Sequence, residues 1–208
     1  MKLQPLALGL LAFWLCSCAS TRVKETWKAP GAQPATGKIA VLAMDDRGLV
    51  RQGFENRFVA HLTRVGMPAA VTFEELSLAE IKQDKAAAAE HFRALGAETL
   101  LIVRSTGTGT SYREVRAGPE RYAPTLTGFE STGWYDYYSV GFVDMQSSYG
   151  STKKKVCLEV SLFDLKAGRR LWAGLTQTVV TERMDRVAEM DPLIDKIIAA
   201  LQKDGLLR

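Results

Sequence analysis

From residue 38 onward, short apolar runs alternate with longer amphipathic stretches, and the spacing of apolar positions assigns an element to each. KIAVLAM, residues 38 to 44, is a compact apolar run ending at Asp45-Asp46-Arg47-Gly48, the pattern of a buried strand leaving into a loop. From Arg51 to Val65, the residues Phe54, Phe58, Val59, Leu62 and Val65 recur on one helical face, and Gly66 supplies the stop. PAAVTF, residues 68 to 73, predicts a second short strand. A helical region follows from Ser77 to Leu95: Ser77 and Glu80 form a capping-box pattern, alanines fill 86 to 89, and Gly96 ends it. Asp84 offers a second cap and a break near Gln83. ETLLIVRS, residues 98 to 105, is the third strand.

The carboxyl-terminal third changes style. Val156, Leu158, Val160 and Leu162 alternate with Cys157, Glu159, Ser161 and Phe163, and RRLWAGLTQTVVT is a second strand-like run. The turn-like Asp164-Leu165-Lys166-Ala167-Gly168 between them makes the pair an antiparallel hairpin. Asp191-Pro192 then starts a helix with the stripe Leu193, Ile194, Ile197, Ile198 and Leu201, closed by Gly205. The whole reads as one α/β sandwich with a mixed sheet: β-α-β-α-β, an insertion, a β-hairpin and a C-terminal helix.

The amino terminus follows another logic. Met1-Lys2 is a short basic start, and the apolar stretch Leu3 to Leu15, broken only by Gln4, Pro5 and Gly9, is too short to span a bilayer but suits a secretory leader. It ends Leu15-Cys16-Ser17-Cys18-Ala19, a string that resembles the lipobox of bacterial lipoproteins. The resemblance implies that Cys18 is diacylated and N-acylated as the first residue of the mature chain, while Cys16 leaves with the leader. Neither Ala19, the second mature residue, nor Ser20 after it is the aspartate that retains such proteins in the inner membrane, so the expected location is the outer membrane, facing the periplasm, in a Gram-negative host.

These features set the expected organisation: a lipoprotein signal peptide at 1–17, a lipidated Cys18 with a flexible tether at 18–37, and a periplasmic domain at 38–208. The tether assignment rests on ASTRVKETWKAPGAQPATG, which is polar, rich in Pro and Gly, and without hydrophobic period. Trp27 is its exception, either docking back on the domain or lying at the lipid interface. Cys157 is read as a thiol in the core.

Removing residues 1 to 17 leaves 208 − 17 = 191 residues, enough for one domain with a sizeable core. The formal charge of +4 includes Lys2, so the mature chain carries +3 with acids and bases well mixed, unlike the concentrated basic face of a nucleic-acid binder. Lys153-Lys154-Lys155 is the one dense cluster, either a solvated strand entrance or an attraction to anionic headgroups or peptidoglycan carboxylates.

Candidate chemistry is sparse. STGTGTS, residues 105 to 111, lacks the Gly-Lys-Ser/Thr ending of a phosphate loop and is expected to be a flexible strand exit. His61 and His91 fall on different helices without metal-ligand spacing, and surface or boundary placement is expected for both. Asp45 and Asp46 follow the first strand, where α/β folds place ligand-binding residues, but capping of the next helix explains them as well. No nucleophile elbow occurs, and the expectation is a non-enzymatic protein with no metal and no cofactor beyond the lipid on Cys18.

The irregular part is residues 112 to 152, far longer than the roughly 12 to 15 residues usual for a loop. It is dense in aromatics, among them Trp134, Tyr135, Tyr137, Tyr138 and Phe142, which are the candidate partner-binding residues. Three readings compete: a hairpin covering the sheet, a surface for a protein or glycan partner, and a membrane-inserting hairpin. Asp136 and Asp144 interrupt the alternation that the last would need.

KIAVLAM, FENRFVAHLTRVG, LGAETLLIV and VSLFDLKAGRRLWAG resemble segments of small bacterial outer-membrane lipoproteins with a curli-secretion-channel-like or penicillin-binding-protein-activator-like α/β domain. The hairpin, with its Asp, turn and Trp-Ala-Gly, carries most of the likeness. The resemblance implies an envelope accessory or assembly factor that binds an envelope protein or peptidoglycan, with homo-oligomerisation open. The alternative it implies is a subunit of an oligomeric outer-membrane secretion or export pore.

Overall fold

The computed structural model describes residues 20–110, 153–181 and 190–207. The elements are β1 (Ser20–Lys28), β2 (Lys38–Met44), α1 (Gly48–Arg64), β3 (Ala69–Val71), α2 (Leu78–Gln83), α3 (Lys85–Ala94), β4 (Ala97–Thr110), β5 (Lys153–Asp164), β6 (Arg170–Thr181) and α4 (Asp191–Lys203). They build one α/β domain around a six-stranded mixed sheet in the order β1-β6-β5-β4-β2-β3. β2 pairs parallel with β3 and β4, while β4, β5, β6 and β1 run antiparallel in succession.

KIAVLAM is continuously apolar because β2 is covered on both faces. Ile39, Val41 and Ala43 enter a core with Phe54, Phe58 and Leu62 of α1 and Ile194, Ile197 and Leu201 of α4. Ala40, Leu42 and Met44 point the other way, into a second core with Ile81 of α2 and Ala88, Ala89 and Phe92 of α3. The predicted capping box is present: the Ser77 hydroxyl accepts from Glu80 N at 3.2 Å, and the Glu80 carboxylate accepts from Ser77 N at 2.7 Å. The break at Asp84 is real as well, its carboxylate accepting from Ala87 N at 2.9 Å to start α3.

The segment expected as a flexible tether is instead part of the fold. Ser20–Lys28 is an edge strand on β6, and Ala29, Ala32 and Ala35 are buried against the α1–α4 core. Ala29 N donates to Leu171 O and Ala35 N to Leu206 O, both at 2.9 Å. The physical reason is that the outer edge of β6 requires backbone partners. The strand was hidden in sequence because a register shift between Val23 and Glu25 breaks the period-two alternation. Trp27 docks against the same core, which decides between its two placements.

The expected strand exit at 105–111 also needs correction. β4 continues through the Gly-Thr repeats to Thr110, paired with Lys154 of β5 after a register shift between Ser105 and Gly107. The backbone groups on its β5 side are taken by that strand, so the glycines lie in a ladder and not in an anion loop. Cys157 on β5 is half-buried, short of the core position expected for it.

Candidate functional site

Two buried polar clusters and one charged seam organise the described residues around the sheet. The first cluster centres on Glu55, completely buried on α1. Its carboxylate accepts from Ala43 N at 3.1 Å, Thr72 N at 2.7 Å, Phe73 N at 2.9 Å, the Thr72 hydroxyl at 3.2 Å and Arg51 Nε at 2.9 Å. One side chain therefore ties α1 to the ends of β2 and β3, and its negative charge is met by donors on every side. A sequence signal for it existed. Arg51 and Glu55 continue the stripe of Phe54, Phe58 and Leu62, so helical spacing alone places both on the buried face.

The second cluster lies on the hairpin. Arg104 donates to Glu159 through Nε at 2.9 Å and Nη2 at 2.6 Å, and Arg170 Nη1 stands 3.8 Å from the other carboxylate oxygen. The Arg170 guanidinium also lies 5.2 Å from the centroid of the Phe163 ring.

The seam joins α1 to α4. Arg57 donates to both oxygens of Asp191 at 3.0 and 3.1 Å, and Arg64 donates to Asp195 at 2.8 Å. Between these rungs sits His61, its Nδ1 2.8 Å from Asp195 and its Nε2 3.2 Å from Asp191. His61 is buried, contrary to the surface or boundary placement expected, because α4 closes over it. Arg64 Nη2 also approaches Nδ1 at 2.8 Å, so the tautomer of the ring sets whether Nδ1 accepts from Arg64 or donates to Asp195. His61 thus bridges α1 and α4 through Asp191 and Asp195. His91 lies at the surface as expected, bonded to Glu75 at 2.9 Å.

Asp45 does not cap α1. Its carboxylate accepts from Arg47 N at 3.0 Å, Arg47 Nε at 2.9 Å and Arg47 Nη2 at 2.7 Å, fixing the loop one step before the helix. Burial works to raise this carboxyl, but the hydrogen bonds and charge of Arg47 outweigh it and hold it below the ordinary aspartate range.

The functional geometry lies in how the sheet gathers chain segments at one end. Ser20 pairs with Val179, Val179 with Lys155, and Lys155 with Gly109. The start of β1, the end of β4, the start of β5 and the end of β6 therefore lie together. β2 stops opposite Arg104, so β4 runs six residues past it to Thr110, about 20 Å at strand rise. Thr110 and Lys153 flank the aromatic segment, so both of its ends leave from this edge of the molecule. Cys18 and the candidates Trp134, Tyr135, Tyr137, Tyr138 and Phe142 lie outside the described residues. A cavity of about 360 Å³ opens between β1 and α4, lined by Lys24, Glu25, Lys196, Lys203 and Asp204 among others. Among the described residues no helix is long and apolar enough to cross a membrane, and no group of three or more His, Cys, Asp or Glu could hold a metal ion.

The fold and this gathered end define a single α/β domain with a four-stranded antiparallel extension beside its parallel core. No protein-family profile matches the chain, and no curated protein sequence does. Among solved structures it is similar to a PelC dodecamer from Paraburkholderia phytofirmans, with 15% identity, a TM-score of 0.49, and coverage of 91% of this chain and 99% of that one. A variant PelC dodecamer from the same organism gives 16% identity, a TM-score of 0.47, and coverage of 88% and 97%. Lipoprotein GNA1162 from Neisseria meningitidis gives 15% identity, a TM-score of 0.42, and coverage of 81% and 97%.

Proposed function

We propose that this chain is a non-enzymatic, lipid-anchored envelope protein of the outer membrane. Its periplasmic domain binds another envelope component through the aromatic segment 112–152. The observation that carries the reading is the shared register of the gathered end. Ser20, two residues from Cys18, lies on the same edge of the sheet as Thr110 and Lys153, which flank that segment. Anchor and aromatic contact residues thus leave the domain together, and the partner is met at the membrane surface. Tyrosine and tryptophan suit this role because they bring large amphipathic contact area at low entropic cost.

Two experiments test the reading. Cys18→Ser is expected to abolish lipid labelling, whereas Cys16→Ser leaves it intact. Replacing Trp134, Tyr135, Tyr137 and Tyr138 by alanine is expected to abolish partner capture by crosslinking in intact envelopes while leaving the melting curve unchanged. Undiminished capture would remove the contact assignment. A second reading, the subunit of an oligomeric export pore, draws on the outer edge of β1, whose backbone meets no further strand among the described residues. A ring-sized mass in detergent that falls to a monomer with Val23→Pro would favour it.

A further inference from the structure

We infer that the Lys153-Lys154-Lys155 strand entrance is a second membrane determinant, a basic edge that seats the domain on anionic lipid headgroups. The inference rests on the lipid-anchor reading of Cys18 and deepens it. With residues 20–28 in the sheet, only Cys18 and Ala19 separate the lipid from folded structure, a reach of about 7 Å. A free segment as long as the expected tether would have allowed roughly 65 Å. The domain is therefore held against the bilayer, and the end of the sheet that touches it is fixed.

Lysines 153 to 155 lie at that end. Lys155 stands two strands from Ser20, by way of Val179, a lateral step of about 10 Å. From Lys155 and Val179, Lys153 and Thr181 lie two residues further in the direction in which the chain runs back from Ser20 to Cys18. The lysine backbone thus lies level with the anchor, within about one Debye length of the headgroup plane at physiological salt. The described residues at this end, 20–23, 106–110, 153–158 and 176–181, contain Arg22 and the three lysines and not one carboxylate. The opposite ends of the same strands carry Glu25, Glu98, Glu159 and Asp164 balanced by Lys24, Lys28, Arg104 and Arg170. The sheet is electrically polarised along its strands, with the cationic end at the anchor. A basic patch beside the acylated cysteine adds to its hold, because each cation near an anionic surface contributes about 1 kcal/mol independently of the acyl chains. Segments 111–152 and 182–189 leave from this end with charges of both signs, so the test isolates the strand lysines.

The chain from Ala19 to Arg208, made without leader or lipid, contains every described element and keeps the acyl contribution out of the measurement. Co-sedimentation with phosphatidylcholine vesicles containing phosphatidylglycerol is expected to retain it, and pure phosphatidylcholine vesicles are not. High salt is expected to release it. Changing Lys153, Lys154 and Lys155 to glutamine is expected to weaken binding about fivefold per lysine, on the order of 100-fold together, with an unchanged melting curve. The same change at Lys82, Lys85 and Lys166, away from this end, is expected to have no effect. Equal binding by the strand variant, equal loss in the control variant, or equal binding of the parent chain to both vesicles would overturn the inference. So would loss of binding to isolated peptidoglycan with vesicle binding kept, which would assign the lysines to the cell wall. Lipid on Cys18 is read separately, by the mass of the amino-terminal peptide of the full-length protein, so either result can fail without the other.

Discussion

Gly174→Ala tests whether the Trp-Ala-Gly motif of the hairpin is a packing device. Trp172 and Gly174 lie on the same face of β6, and a Cβ at 174 would stand 2.9 Å from Cζ2 and Cζ3 of the indole and closer still to Cη2. Carbon atoms pack at about 3.5 to 4.0 Å, so the ring would have to retreat by roughly 1 Å or more. It has little room to do so. Trp172 is 1% exposed, and its Nε1 donates to Asp204 Oδ2 at 2.7 Å just past the end of α4. Overpacking of this kind costs about 1 to 3 kcal/mol, and the double restraint puts this site at the upper end. For a chain of this size the melting temperature should fall by about 5 to 10 °C. Trp172→Phe removes the ring atoms that clash, so Gly174→Ala made in that background should cost less than about 0.5 kcal/mol. The cycle, read by urea and thermal unfolding monitored by circular dichroism, should give a coupling of about 1 to 3 kcal/mol. If Gly174→Ala costs the same in both backgrounds, the indole does not set the requirement for glycine and the argument fails.

Glu55→Ala should be among the most damaging substitutions in the domain, at about 3 to 5 kcal/mol by chemical denaturation. It leaves Arg51 buried without its carboxylate and strips acceptors from three backbone amides; a cost under about 1 kcal/mol would show that the cluster is idle. For Asp45, a folded-state carboxyl held below its ordinary value contributes stability that is complete above the unfolded pKa, about 3.9, and is lost as pH falls through the lowered folded value. Asp45→Asn should therefore cost up to about 1 kcal/mol at neutral pH, and the difference from the parent should close as the pH is lowered toward 3. A gap that persists in acid would assign the effect to the loop backbone.

The sequence by itself determined the elements whose neighbours in space are also neighbours in pattern. The stripe Phe54-Phe58-Leu62, the capping box at Ser77 and Glu80, the second cap at Asp84 and the hairpin turn at Asp164–Gly168 depend on contacts a few residues away, and local spacing encodes them. KIAVLAM was legible as a buried strand because burial on both faces leaves no polar position to confuse the period. Tertiary structure alone decided the rest. Ser20–Lys28 is a strand only because β6, some 150 residues later, offers an unpaired edge, and a bulge erased the alternation that would have announced it. His61 is buried only because Asp191 and Asp195 of α4 close on it from 130 or more residues away. Above all, the strand register brought the start of β1, the lysine run and both ends of the aromatic segment to one edge. No periodicity in the chain records that meeting, because register is fixed by pairing between distant backbones and not by the order of side chains along one of them.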